Sequence, residues 1–445
     1  MQTSQMEFIR PGDMHSHLEG SVWPEDVYAA LKDVGVSFQE KTKSFIDQTY
    51  ERDASKSTLL VFISKLSTRW IRLGLLSVYK AYETQPNLIK EKAKEYLHSI
   101  VRRMIYRANN QGLGYFNMLY SPMNMAVDPR RGDLSKEKFS VLRKQISGRD
   151  GQNPMPEEEK ELYTWFESKI HGDQFGEYLT VQDYLDIVND EIKKWHNTQP
   201  REKMPVVIQT LSFRRDSDLT LIKNGSAELA ETLDFVTEAF KSGQIDCIDI
   251  CGNEADERFE LRSYTQFFYE LESCGVPYTL HLGELPDTID GMKIVQENFR
   301  VFFDLHPLAI AHGVRLTDDT PWAKLARLHM EKEQIAWIIC LTSNESTGTV
   351  SVIHNIAVFM KQALHMKIPK CFGVDDAVVF APVSGGVPVM NEMTWFAQQL
   401  IDVGVNAHAV ELLRDQLVAQ SHQTFQGFYE KIRIMREVIK KKEVK

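Results

Sequence analysis

The chain has 445 residues, 43% of them hydrophobic and 26% charged, with a formal net charge of −10 and five cysteines. That length holds one large α/β domain or two ordinary ones, and the negative balance excludes a global field that would draw nucleic acid or an anionic membrane. Cys247, Cys251, Cys274, Cys340 and Cys371 are odd in number, scattered and without Cys-x-x-Cys spacing, which argues against a disulfide framework or a thiolate metal site. Residues 1–25 show no basic start followed by an apolar core, and no apolar run reaches the eighteen or so residues of a membrane span, so a cytoplasmic protein with reduced thiols is expected.

In chain order, Phe8-Ile9-Arg10-Pro11-Gly12 leads into a strand near 13–18 that carries His15-Ser16-His17. Side chains alternate along a strand, so both imidazoles face one side and can grip one ion. Ser21–Asp26 reads as a helix start, with Pro24 early and acids in the first turn. Residues 24–110 are mostly helical by periodicity, most clearly over 88–105. Tyr115–Tyr120 is a short strand. Residues 121–178 break the rhythm as a long polar excursion, with Pro129, Pro154, Pro156 and the run Glu157-Glu158-Glu159. Following the second strand of a barrel, such an insertion leaves from the catalytic face and reads as a lid, a subunit contact or a loop.

From about 200 onward short apolar runs alternate with amphipathic segments. The runs are Pro205–Leu211, Ile245–Cys251, Pro277–Leu282, Leu308–Ala311, Ile335–Leu341 and Pro369–Val374. Helices are expected near 226–241, 259–273, 288–299, 320–333 and 350–365. With the two earlier strands this makes eight strand-plus-helix units, which predicts a (β/α)₈ TIM-type barrel with extra N-terminal helices and a long insertion after the second strand. The whole of 1–445 is read as one metal-dependent hydrolase domain. No Gly-x-Gly-x-x-Gly follows a first strand to support a dinucleotide-binding sheet. Lys440–Lys445 reads as a frayed, solvated end.

The strand ends carry the chemistry. His281-Leu282-Gly283-Glu284 closes the fifth run, His312-Gly313 the sixth and Asp375-Asp376 the eighth. Catalytic residues of this fold come from several strand ends. His15, His17, His281 and Asp375 offer three nitrogens and one oxygen with room left for a water, the donor set of an open catalytic metal site that suits zinc. Taken singly, Glu284 reads as an ordinary strand-end acid, His312 as a buried core histidine and Asp375-Asp376 as a solvated turn; their joint placement favours the site.

The stretches His15-Ser16-His17-Leu18-Glu19-Gly20, Asp249-Ile250-Cys251-Gly252-Asn253-Glu254, His281-Leu282-Gly283-Glu284, His312-Gly313, Thr342-Ser343-Asn344 and Asp375-Asp376 together resemble the adenosine deaminase family of zinc-dependent purine aminohydrolases, in the family's order. The resemblance implies one Zn²⁺ per chain on His15, His17, His281 and Asp375, and hydrolytic removal of the 6-amino group of an adenine ring. It implies His312 as the base for the attacking water, Asp375 as its orienter, Glu284 as the acid toward N1, Asp376 toward N7 and the Gly252 N–H toward N3. Glu19 stands where nucleoside-specific members carry Asp, a position that meets the ribose 5′ end, and a carboxylate there repels a 5′-phosphate. Ala377 replaces the usual Pro after Asp376. Arg214 resembles a structural arginine of the family.

Adenosine or deoxyadenosine is therefore the expected substrate, with adenine or an adenine nucleotide as the alternative and a catalytically silent binding or signalling member as a third reading. Arg130, Arg131, Lys136, Lys138, Arg143, Lys144 and Arg149 form a basic cluster able to receive a phosphate or, equally, to face solvent or a neighbouring subunit. The partner expected is a small-molecule purine, with no polynucleotide and no membrane, and a homo-oligomer is compatible with this reading. The His-x-Glu and Pro-Cys-x-x-Cys signature of base-flipping deaminases is absent.

Overall fold

The computed structural model describes residues 12–18, 21–51, 67–122, 157–169, 178–198, 205–215, 222–252, 254, 260–284, 289–346, 358–359, 362–375, 397–398, 400–402 and 404–443. Eight strands, β1 (Gly12–His17), β2 (Tyr115–Tyr120), β3 (Val206–Arg214), β4 (Cys247–Cys251), β5 (Tyr278–Leu282), β6 (Ala309–His312), β7 (Ala336–Ile339) and β8 (Lys370–Phe372), pair in parallel in chain order. Ser16 pairs with Asp375 just past β8, so first and last strands meet and the sheet curls into the expected (β/α)₈ barrel. Parallel strands covered by helices are buried on both faces, which is why they read as apolar runs instead of alternating ones. β2, β4, β5, β6 and β7 are buried at every position.

The seam between β1 and β8 is unusually well tied. The Asp375 N–H donates to the His15 carbonyl (2.6 Å), the His17 N–H donates to the Asp375 carbonyl (3.0 Å), and Asp13 accepts from the His15 and Val374 N–H groups. Gly373 makes the approach possible, because a Cβ there would meet Cβ of His15 at 2.3 Å.

Among the described residues six helices precede β3. They are α1 (Pro24–Asp33), α2 (Glu40–Glu51), α3 (Ser67–Ala81), α4 (Pro86–Asn110), α5 (Glu157–Lys169) and α6 (Val181–Thr198). The first begins as its sequence suggests, with Asp26 accepting the Trp23 N–H at 3.2 Å. The part of the 121–178 excursion that is described is helical, a correction to the polar-loop reading. In α5, Leu162, Tyr163 and Phe166 are buried, and Glu159 forms two charge-assisted bonds with Arg69 of α3, at 2.8 and 2.6 Å, with both side chains buried. The acidic run is thus partly a buried docking point. Residues 123–150, with the basic cluster, lie outside the described residues.

The crossover helices are α7 (Glu228–Ser242), α8 (Thr265–Cys274), preceded by a 3₁₀ turn at Leu261–Tyr264, α9 (Ile289–Phe302) and α10 (Pro321–Glu333). α11 (Leu341–Ser346) starts directly after β7 where the sequence reading continued the strand. The helix expected at 350–365 is described only at 358–359 and 362–365, which are helical. A long α12 (Ala407–Glu443) completes the chain, so Lys440–Lys442 continue a helix instead of fraying. Its Arg436 donates to the Phe240 and Ile245 carbonyls (2.9 and 2.7 Å) and to Asp246 (2.8 Å), while Phe425 stacks on Tyr115 with centroids 4.1 Å apart. Those partners sit at or just before the starts of strands, so α12 covers the end of the barrel opposite the strand C-termini. All five cysteines are free thiols, four of them buried. No described helix is long and apolar enough to cross a membrane.

Candidate active site

Four of the residues singled out in the sequence converge where the strands end. His15 and His17 leave β1 on the same side, His281 comes from β5, and Asp375 follows β8. One ligand atom from each lies within 4.8 Å of all the others. Nε2 of His15 is 3.0 Å from Nε2 of His281, and Nε2 of His17 is 3.4 Å from Oδ1 of Asp375. Ligands about 2.1 Å from one ion in a tetrahedral array stand about 3.4 Å apart, so these spacings fit a single small cation.

The electrostatics agree. Burial, reinforced by His281, His17 and His312, holds the His15 imidazole well below its ordinary pKa, and His17 is pushed down to about 4, chiefly by burial. Both are therefore neutral donors of a lone pair. Burial pushes the Asp375 carboxyl up, but His312, His17, His281 and the Ser343 hydroxyl outweigh it and hold it below its usual range. At His281 burial is likewise outweighed, by Asp249, Asp375 and Glu284, which raise its pKa. The pocket's potential favours a positive charge at its centre, which an ion on these four ligands supplies.

Around the four stand two further residues that the sequence singled out. His312, at the tip of β6, places Nε2 3.9 Å from Oδ2 of Asp375 and Nδ1 3.8 Å from Oε1 of Glu284. Both His312 and Asp375 sit at φ +64°, a left-handed conformation that costs side-chain-bearing residues about 1 kcal/mol or more and that clusters at functional sites. Glu284, a quarter exposed, has its carboxyl pKa raised by burial first and then by Asp375 and Glu254, against His312 and His281.

Gly252 follows β4 at φ +95°, a conformation suited to glycine. Glu19 and Asp376 lie outside the described residues.

Several participants carried no assignment from sequence. Asp249 of β4 puts Oδ2 3.2 Å from Nδ1 of His281 and accepts the Thr279 hydroxyl at 2.7 Å. A carboxylate on the far nitrogen orients a ligating histidine and fixes its tautomer. α11 delivers Ser343, whose hydroxyl donates to Oδ2 of Asp375 at 2.6 Å, and Asn344, whose Oδ1 stands 2.9 Å from Nδ1 of His312. Asp249 and the Ser343-Asn344 pair were inside quoted motifs, but only strand pairing and the turn into α11 reveal what they touch. His15, His312 and Cys340 also approach closely enough to share an ion, a grouping that draws on the same pocket.

Residues 217–407 match the family model for adenosine deaminase. An adenosine deaminase domain thus covers 191 of the 445 residues. That domain supports a hydrolytic purine deaminase for an adenine-type ring. The matched stretch holds Gly252, His281, Glu284, His312, Asp375 and Asp376 but not His15 or His17, which the barrel geometry brings to them.

Among curated protein sequences none matches this chain. Among solved structures, an Arabidopsis N6-mAMP deaminase superposes with a TM-score of 0.54 at 15% identity, covering 97% of this chain and 98% of that one. Arabidopsis ADAL complexed with GMP gives 0.53 at 16% identity, covering 97% of each chain. Adenine deaminase from Arthrobacter aurescens gives 0.52 at 13% identity, covering 94% and 99%. At such identities the likeness is one of fold.

Proposed function

We propose that this deaminase is a zinc enzyme that removes the 6-amino group of adenosine or deoxyadenosine, yielding inosine or deoxyinosine and ammonia. The observation that carries the reading is the convergence of His15, His17, His281 and Asp375 within 4.8 Å, with Glu284 and His312 beside them. Three histidines and one carboxylate suit zinc, one ion per chain. When bound, zinc supplies the Lewis acidity that makes a water nucleophilic near neutral pH.

The protein's own groups then divide the work. The Nδ1–H of His312 donates to Asn344, which leaves Nε2 as a lone-pair nitrogen facing Asp375 across the gap where a water fits. His312 accepts the water's proton as its oxygen bonds to C6, and Asp375 orients that oxygen. Attack at C6 loads charge onto N1, and Glu284, whose carboxyl pKa is raised by burial and by Asp375 and Glu254, would give N1 a proton. The proton on His312 passes to the departing amine, the C6–N bond breaks, and the hydroxyl proton left on C6 returns to the site's carboxylates as the carbonyl forms. The Gly252 N–H and Asp376 would hold N3 and N7.

Glu19 supports a nucleoside over a nucleotide, since its carboxylate repels a 5′-phosphate. The same chemistry on adenine or on an adenine nucleotide is the second reading, favoured by the solved structures named for adenine and for N6-mAMP. Release of ammonia from adenine, adenosine, deoxyadenosine, AMP and dAMP, and of methylamine from N6-methyl-AMP, separates the two. We expect a nucleoside to lead by about tenfold or more in kcat/KM, because a mismatched charge or missing sugar costs at least that much. Preferential turnover of a nucleotide or of free adenine would replace the first reading with the second.

A further inference from the structure

Beyond β4 the chain carries a second buried carboxylate, Glu254, only 4% exposed, for which the proposed chemistry has no use. Its Oε1 accepts the Gly283 N–H at 3.1 Å and the Asn298 side-chain amide at 3.1 Å, and its Oε2 accepts the Glu284 N–H at 3.0 Å. Asn298, fully buried on α9, uses its own Oδ1 to accept the Leu261 N–H at 2.9 Å. The polarity of this chain of bonds is therefore fixed from Leu261 to Glu254: reversing the Asn298 amide would set an N–H against an N–H.

All three neighbours of Glu254 are donors, so the position calls for a group that only accepts. A carboxylate meets that need and an amide does not. The turn's carbonyls are held from the other side: Gly283, at φ +76°, has its carbonyl taken by the Arg315 N–H at 3.2 Å, while the Gly313 N–H holds the Leu282 carbonyl at 3.0 Å. Glu254 thus clamps two successive N–H groups at the bend from which the Glu284 side chain departs toward His312.

We propose that Glu254 is the positioning residue for the acid of this deaminase: its carboxylate clamps the Gly283-Glu284 turn and so sets where the Glu284 carboxyl stands over the substrate ring. The proposal rests on the reading of Glu284 as the proton donor to N1. A residue that merely braces the β4, β5 and α9 junction would make the same bonds but would not act through Glu284, and that difference is measurable.

The experiment is a double-mutant cycle on the metal-loaded full chain, Glu254→Gln and Glu284→Gln singly and together, with kcat, KM and bound metal measured for each. Glu254→Gln is expected to lower kcat about 100-fold, with KM within about threefold and metal content unchanged, since a misplacement of about 1 Å at a reacting group costs that much. In the Glu284→Gln background the same change is expected to cost less than about threefold, because the group it serves is already gone. Glu254→Asp, which keeps both acceptors but withdraws them by one methylene, should recover part of the rate.

Hydrogen exchange supplies a readout that does not depend on substrate. The Gly283 and Glu284 amides should exchange about tenfold faster or more in Glu254→Gln, with the rest of the barrel unchanged. A kcat loss of equal size in both backgrounds, or unaltered protection of those amides, would overturn the proposal. If Glu254→Gln does not fold, Glu254→Asp, which keeps the charge but withdraws both acceptors from the two N–H groups by one methylene, carries the same cycle with a smaller expected loss. A wild-type chain silent on every adenine derivative would sink the functional reading alone, and the exchange measurement would still decide whether Glu254 holds the turn.

Discussion

Asp249 illustrates how far a single side chain can reach. It neither faces substrate nor belongs to the four ligands, yet it stands 3.2 Å from Nδ1 of His281 and is held there by the Thr279 hydroxyl. With the proton fixed on Nδ1, Nε2 of His281 presents its lone pair to the ion. Asp249→Asn keeps the shape but loses the charge and the acceptor, so metal affinity should fall about 10–100-fold, measured by competition with a chelator while circular dichroism stays native. Unchanged affinity would reduce Asp249 to a packing residue. His312 is handled in the same manner by Asn344, a carboxamide whose Oδ1 stands 2.9 Å from Nδ1 and so favours a proton on that nitrogen.

At the scale of elements, the helices before β3 are joined by ionic contacts of two kinds. The Arg69–Glu159 pair between α3 and α5 is desolvated, with side chains 5% and 0% exposed, and the guanidinium also lies 4.5 Å from the Trp70 ring. Glu159→Ala leaves a buried cation without its partner and should destabilise the chain by about 3 kcal/mol in urea or thermal unfolding; a loss under about 1 kcal/mol would mean the pair is effectively solvated.

Asp183 of α6 behaves differently. Burial raises its pKa, but Lys90 and Lys94 of α4, with Thr180, outweigh that and bring it down to about 2 from an ordinary 3.8. A depressed carboxylate adds stability that is present above its unfolded pKa and lost as pH falls through the folded one. Asp183→Asn should therefore cost on the order of 1–2 kcal/mol near neutrality, discounted for the half-exposed lysines, and the difference from wild type should vanish between about pH 4 and pH 2. A gap that persists unchanged at pH 2 would show that charge is not its source.

For the whole molecule, what could be read in advance follows from burial. The eight strands announce themselves as short apolar runs because they are covered on both faces, and the proposed metal-binding and catalytic residues because histidines and carboxylates recur where those runs stop. α5 was hidden because its polar positions dominate the local pattern, and the partner of Glu159 lies 90 positions away at Arg69. In α12, Val410, Leu417, Ser421, Phe425, Phe428, Ile432 and Ile439 form a narrow buried stripe at helical spacing, but charged and polar residues share the rest of its surface with the exposed Leu412, Tyr429, Ile434 and Val438, which blurs the pattern, and no catalytic motif points to it. Asp249, Glu254, Ser343 and Asn344 sit inside recognisable motifs, while their partners come from other strands and helices, which only the closed barrel brings into reach.

On the proposed reading, four ligands from β1, β5 and the end of β8 make one zinc centre on which purine deamination depends. The most direct measurement follows bound metal and ammonia release together, from adenosine or whichever adenine derivative the chain prefers, while a chelator strips the protein and zinc is then returned. Activity should fall in step with metal and recover fully at about one zinc per chain, with no recovery in His281→Ala. Full turnover by the metal-free protein, or zinc returned to one per chain without turnover, would contradict it.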